Sequence, residues 1–233
     1  MIEFRLESWM GVAPGFSTSE DWFKWSLNPQ CITETKIDSD LSSIPPMLKR
    51  RFSVLGKSAL SSSLPLLHPD DQIPSVFASR HGDTALTLSL LESIGKNEAL
   101  SPTKFSLAVH NAVSGLFSIA RNDTSVVTSI AASEGLFIQA IIEAAGLLIT
   151  EQRVLCVIHD APLANLYTDY TDSFTFPYAI AIVLNKSKGR KIRLEPIYSS
   201  DLESTYKQED NLMRNELEFV SLLAGATTFV ETK

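Results

Sequence analysis

The residues best placed for chemistry sit at one corner, Ala131-Ala132-Ser133-Glu134-Gly135. Before it, Ser125 to Ala131 is short and rich in β-branched residues, the composition of a buried strand. After it, Leu136 to Leu148 is apolar all round except for Gln139 and Glu143, a pattern that places a helix in the middle of a protein. Strand, sharp turn and buried helix together present a nucleophile at a helix head, where free N–H groups and the helix dipole favour developing negative charge. Ser133 is the hydroxyl in that corner. A second polar cluster, Arg80-His81-Gly82-Asp83, follows a strand over Pro74 to Ser79 and precedes a helix over Thr84 to Ile94. Asp83 suits the N-cap and Gly82 the turn, which leaves His81 at a strand's end, where sites lie in α/β sheets. The four histidines are His68, His81, His110 and His159. The two cysteines, Cys31 and Cys156, form no metal spacing and no disulfide framework, and Cys156 reads as a small buried hydrophobe. No Gly-rich phosphate loop occurs, so no nucleotide cofactor, and no cofactor of any kind, is implied.

The elements that must position these groups alternate between strands and helices. Ile2 to Leu6 alternates as an opening strand, Trp9 to Phe16 reads as a loop, and Ser19 opens a helix through Trp25. Trp9, Trp22 and Trp25 read as packing anchors. Pro45-Pro46 suits a helix start, with Met47, Leu48, Phe52, Leu55 and Ala59 at helical spacing until Ser61-Ser62-Ser63. Phe105 to Ala120 is a mostly apolar helix closed by Arg121-Asn122-Asp123. Arg153 to Ile158 is a buried strand ending in His159-Asp160, and Ala161 to Pro177 is a loop. Tyr178 to Asn185 is another strand, and Ile192 to Tyr198 returns as its hairpin partner across the basic turn Lys186 to Lys191. Asn211 to Leu223 closes the chain as an amphipathic helix. The expected class is α/β, a mixed central sheet covered by helices.

The 233 residues suit one domain with a sizeable core, and 44% hydrophobic against 20% charged residues exclude a disordered chain. A net charge of −7 argues against nucleic acid as a partner. The longest apolar run, Leu136 to Ile149, is too short to span a bilayer and carries Glu143. The N-terminus has no basic segment followed by an apolar one, so the expected location is the cytoplasm.

His110-Asn111-Ala112-Val113-Ser114-Gly115-Leu116-Phe117-Ser118-Ile119 and Ser129 to Gly135 resemble the β-ketoacyl synthases of the thiolase-like superfamily. There an Asn-rich apolar helix runs into a strand that delivers the nucleophilic cysteine before a buried helix. The resemblance implies a ketosynthase N-terminal half as a single truncated domain over residues 1–233, with Ala132 in the nucleophile position. An alanine methyl forms no thioester, and none of the four histidines lies in a second-half motif, so the implied chain is catalytically silent. Trp9 to Gly15 and Ala78 to Asp83 resemble the short ketosynthase-like chain length factors that accompany aryl polyene type II synthases.

That likeness implies two partners, a catalytic ketosynthase and an acyl carrier protein. The strand Ser125 to Ala131, with Val126, Val127, Thr128 and Ile130, should pair with the matching strand of the ketosynthase. Phe105, Ala108, Val109, Asn111 and Ala112 are the implied pocket and interface residues, since they precede or open the Asn helix. For an acidic carrier protein, the basic clusters are Lys49, Arg50 and Arg51, and Lys186, Lys188, Arg190 and Lys191. The competing enzyme reading is a serine hydrolase or thioesterase using Ser133, in an Ala-x-Ser-x-Gly variant of the nucleophile elbow. It needs an acid and a later histidine, for which the chain offers Glu143 or Glu151 and His159.

Overall fold

The computed structural model describes residues 1–28, 32, 36–37, 39–167, 169–170, 176–195 and 219–226. A six-stranded mixed sheet runs through it in the order β3-β2-β4-β5-β1-β6. Its strands are β1 (Ile2–Val12), β2 (Ser75–Ala78), β3 (Val127–Ile130), β4 (Arg153–Asp160), β5 (Tyr178–Asn185) and β6 (Arg190–Leu194). β2 runs parallel to both neighbours, with Val76 opposite Thr128 on β3 and Cys156 on β4. The remaining pairs, β4 with β5, β5 with β1 and β1 with β6, are antiparallel. The helices are α1 (Ser19–Leu27), α2 (Pro46–Lys49), α3 (Val54–Ser63), α4 (Thr84–Gly95), α5 (Pro102–Leu107), α6 (Ala112–Arg121) and α7 (Leu136–Leu147), with a further helical turn at 219–224.

β4 and β5 are unbroken apolar runs because both of their faces are covered. On one face Val154, Cys156 and Ile158 meet Phe137, Ala140 and Ala144 of α7. On the other, Leu155, Val157 and Val183 meet Leu55 and Ala59 of α3 and Phe117 of α6. Phe77 and Phe117 are buried with ring centroids 5.0 Å apart, and burying each contributes roughly 1.5–3 kcal/mol. β2 leads through α4, α5 and α6 to β3, and β3 leads through α7 to β4 on the opposite face. The C-terminal ends of the three parallel strands therefore share one edge of the sheet, where ligands bind in such folds.

Several sequence expectations change in the structure. Trp9 to Val12 is strand, not loop, since β1 continues to Val12 along β5. Gly11 belongs there because the Trp22 indole donates to its carbonyl at 2.8 Å, and a Cβ on Gly11 would meet that Nε1 at 2.7 Å. The helix expected from Pro46 breaks after Lys49, and Ser53 accepts from Gly56 N to cap a new one, α3. The helix expected over Phe105 to Ala120 is α5 and α6 with a turn between them. β3 starts at Val127 rather than Ser125 and lies at the sheet edge, half-buried, instead of buried on both faces. α7 is not covered all round: Ile142, Glu143 and Gly146 face outwards. β6 does not return onto β5. β1 lies between them, and Leu6 sits opposite Arg190. Cys31, Phe174 and most of the expected closing helix fall outside the described residues, within which Val220 and Leu223 are buried.

Candidate functional site

The C-terminal edge of the parallel strands is built around a buried carboxylate. Asp160, at the end of β4, is 6% exposed. It accepts from Ser79 Oγ at 2.9 Å, from Arg80 N at 3.0 Å and from Tyr178 Oη at 3.5 Å. Ser79 Oγ in turn accepts from Gly82 N at 2.9 Å, which folds the chain back after β2. From there Asp83 caps α4 through Leu86 N at 3.0 Å, as expected. Three donors on one carboxylate repay the cost of burying it, and they hold the ends of β2 and β4 in register.

His110 explains the break between α5 and α6. Its Nε2 lies 2.8 Å from the carbonyl oxygen of Ser79, so that nitrogen carries the hydrogen and donates. The ring thus pins the α5–α6 turn to the end of β2, and the helix restarts at Ala112. Ser114 extends the tie by bonding Ser129 Oγ of β3 at 2.8 Å. His159 is 2% exposed and meets the Phe77 ring edge-on at 5.9 Å. Burial, helped by nearby His110, holds its pKa down at about 3, so it is neutral throughout the physiological range. Burial and then Arg80 also lower the pKa of His81.

The corner after β3 has the expected shape. Gly135 occupies the N-cap of α7 with φ of +59°, a left-handed conformation that suits glycine. Ala132 is half-buried against the α7 side of the core, while Ser133 and Glu134 are exposed. The parts of a serine triad do not converge here. β2 separates β3 from β4, which puts His159 about 10 Å across the sheet from the corner. Glu143 is exposed on the outer face of α7, and Glu151 lies beyond its far end, about 18 Å along the axis. Cys156 is fully buried, and burial pushes its thiol up, which makes it inert. Among the described residues no cluster of His, Cys, Asp or Glu is placed to hold a metal ion.

The remaining expected site residues divide between two places. Val109 and Ala112 line a shallow crevice with Leu107, Val113, Leu116 and Leu86. Arg51, Asp83 and His110 also line it. Phe105 is 63% exposed on α5, Ala108 caps that helix, and Asn111 is the N-cap of α6 without a side-chain cap bond. Val126, Val127, Thr128 and Ile130 lie along the outer edge of the sheet, and Val126 is 61% exposed. Sequence reasoning missed the Ser79–Asp160 pair, although an acid closing an apolar strand was its visible signal. It also missed that Arg51, Asp83 and His110 line one crevice, because these are far apart in sequence.

The family model described as the β-ketoacyl synthase N-terminal domain matches residues 22–233. The chain belongs to that family. Its fold is accordingly the thiolase-like α/β fold of ketosynthases. Among solved structures, it is similar to the ketosynthase (ApeO) in complex with its chain length factor (ApeC) from Xenorhabdus doucetiae. The identity is 28% and the TM-score 0.74, over 81% of this chain and 81% of that one. The ishigamide ketosynthase/chain length factor matches at 12% identity and TM-score 0.63, over 80% of this chain and 63% of that chain. A β-ketoacyl synthase from Burkholderia phymatum STM815 matches at 11% and 0.61, over 80% and 59%. At these two lower identities the likeness concerns the fold alone. No curated protein sequence matches the chain. No helix of the described residues is long and apolar enough to cross a membrane.

Proposed function

We propose that this ketosynthase-family chain is a non-catalytic chain length factor, which pairs with a catalytic β-ketoacyl synthase and helps to shape its acyl pocket during elongation of polyene or fatty-acid-like chains. The observation that carries the reading is the match to a ketosynthase–chain length factor complex at 28% identity, over the same 81% share of both chains. The corner residue Ala132 supports it. Where the family resemblance puts a thiolate, this chain offers a methyl group, and loss of one member of a cooperating catalytic set removes most of its rate. On this reading the pocket wall is drawn from Phe105, Ala108, Val109, Asn111 and Ala112. The β3 edge, with Val126, Val127, Thr128 and Ile130, meets the ketosynthase, and an acyl carrier protein supplies the chain. The aryl polyene class and the cytoplasmic location belong to the same proposal.

Coexpression with the catalytic ketosynthase tests it. The expected result is a stable heteromer whose products, analysed by mass spectrometry, differ in length from those of the ketosynthase alone, with no acyl adduct on this chain. Failure to copurify, or a product spectrum indifferent to this chain, would overturn the reading.

A further inference from the structure

The excursion between β2 and β3 is held by polar ties more than by burial. Leu90 is the one buried residue of α4, and α5 has none. Of α5, Leu107 packs partly against the core. Asn111 opens α6 without a side-chain cap bond. Between the two helices the chain makes a turn, closed by Ala112 N donating to the Val109 carbonyl at 3.0 Å. His110 stands inside that turn, and its Nε2–H reaches the Ser79 carbonyl at 2.8 Å. Val109 and Ala112, the two ends of the turn, are residues of the proposed wall.

The seat of the His110 ring is built from both sides. Gly82 turns with φ of +64°, and a Cβ there would meet His110 Cδ2 at 3.2 Å, so any side chain at 82 presses on the ring. Ser79 is itself fixed, since its Oγ donates to Asp160 at 2.9 Å and accepts from Gly82 N at 2.9 Å. Beyond the turn, Ser114 Oγ donates to the Asn111 carbonyl at 2.9 Å, and Ser129 Oγ lies 2.8 Å from it. A line of hydrogen bonds thus runs from the end of β4, through the end of β2 and the turn, to β3. A net hydrogen bond of ordinary strength favours the held arrangement over the released one about fivefold. With no buried side chain on α5 to add to it, the His110 bond decides where the turn stands.

We propose that His110 is a positioning residue for chain length: by holding the α5–α6 turn against β2, it sets where Val109 and Ala112 stand in the acyl wall. The inference rests on the preceding reading, which supplies the wall. His110 acts through its neighbours and not by filling space. A wall excludes volume according to where it stands as well as to the size of its side chains. A released turn lets the growing chain advance further before it meets the wall.

The test reads product length by mass spectrometry in the ketosynthase heteromer. His110→Phe keeps a ring of similar size and removes the donor. The fraction of products longer than the main wild-type product should rise, by up to about fivefold. His110→Gln places an amide N–H at a similar reach and should restore the wild-type spectrum. Gly82→Ala alters no wall side chain and should shift the products in the same direction as His110→Phe. A wild-type spectrum from an intact His110→Phe heteromer overturns the proposal. So does an equal shift in His110→Phe and His110→Gln, because the bond would then not be the agent. Amide exchange of the chain alone, followed by NMR, is a second readout that needs no ketosynthase. Exchange at the Ala112 N–H should be about fivefold faster in His110→Phe and return to the wild-type rate in His110→Gln. Unchanged exchange in His110→Phe overturns the tie, even where that variant does not enter the heteromer. If the wild-type chain forms no heteromer, the preceding reading fails separately, and the exchange rates still decide the tie.

Discussion

His159 makes the stability of this chain depend on pH in a way that one substitution should remove. The ring is 2% exposed, at the end of β4, with Phe77 against it and His110 nearby. Burial, and then the positive charge His110 can carry, depress its pKa from 6.5 to about 3. In the unfolded chain the imidazole is free to protonate at its ordinary value, so on acidification the unfolded state takes up the proton first. The stabilisation is therefore complete above about pH 6.5 and is lost progressively as pH falls towards 3. At pH 5 the chain is one and a half units below the unfolded value. At about 1.4 kcal/mol per unit, roughly 2 kcal/mol is lost relative to neutral pH. That is a substantial part of the about 5–15 kcal/mol that holds a domain folded. His159→Phe keeps an aromatic ring on Phe77 and removes the proton site. Urea unfolding at pH 7.5 and pH 5 should show wild type losing about 2 kcal/mol more than the variant, a midpoint difference of roughly 0.7 M for a slope of about 3 kcal/mol/M. Other groups titrate in both proteins and cancel in the comparison. Equal losses in the two would show that His159 protonates in place, and would refute the burial argument.

Other outcomes follow from the site. Ala132→Cys should form no acyl adduct by intact-protein mass spectrometry and should restore no condensation, since a thiol alone does not rebuild a cooperating set. Asp160→Ala strips the partner from Ser79 Oγ, Arg80 N and Tyr178 Oη, which should cost about 2–4 kcal/mol and lower Tm by roughly 5–12 °C in a thermal melt. In the ketosynthase heteromer, Ala108→Trp and Ala112→Trp should shorten the products and Phe105→Ala lengthen them, because a wall acts by excluded volume; an intact complex with unchanged products would remove these residues from the wall. Val126→Lys places a charge at the start of the exposed β3 edge and should abolish heteromer formation on gel filtration while leaving the circular dichroism spectrum intact.

What the sequence made legible is what local chemistry decides. β4 and β5 are runs of apolar residues with no helical period, and α1 opens at Ser19 as expected, held by a reciprocal capping box between Thr18 and Asp21 that only the structure displays. The missed features depend on distant partners. The α5–α6 break comes from His110 reaching the Ser79 carbonyl 31 residues away, against a local pattern that favours one continuous helix. β1 is tied to β5 and β4 at its register shift, where the Glu7 carboxylate accepts from Asn185 at 2.6 Å and from Arg153 at 3.1 Å, and to β6 through Glu3, which pairs with Lys191. These ties hold β1 between β5 and β6, whereas a basic turn between two short strands signals only a hairpin. The outer face of α7 was misjudged for another reason: its composition matches a helix covered all round, and composition cannot say what covers it. The corner at Ala132 was legible as strand, turn and helix, but the polar ties around Asp160 join strand ends that no sequence spacing connects.

The two edges of the sheet are finished differently, and the difference bears on the proposed pairing. β6 carries Arg190, Lys191 and Arg193 outwards, with Lys191 and Arg193 near Glu3 of β1. Charges along an edge strand oppose addition of another strand. β3 has no charged residue between Val127 and Ile130. Ser75 N donates to the Val126 carbonyl at 2.9 Å, and Ser79 N to the Ile130 carbonyl at 3.2 Å, so the even-numbered carbonyls face β2. The backbone groups of Val127 and Ser129 therefore point the other way, to the free edge. Next to that edge Val126 is 61% exposed. An uncharged edge with outward-facing N–H and C=O groups and the exposed apolar Val126 before it can accept a strand without burying a charge. The guarded β6 edge cannot. On the proposed pairing, a partner strand would add to β3, beside the Ala132 corner and the α5–α6 turn, and an acyl wall shared between two subunits would be built there.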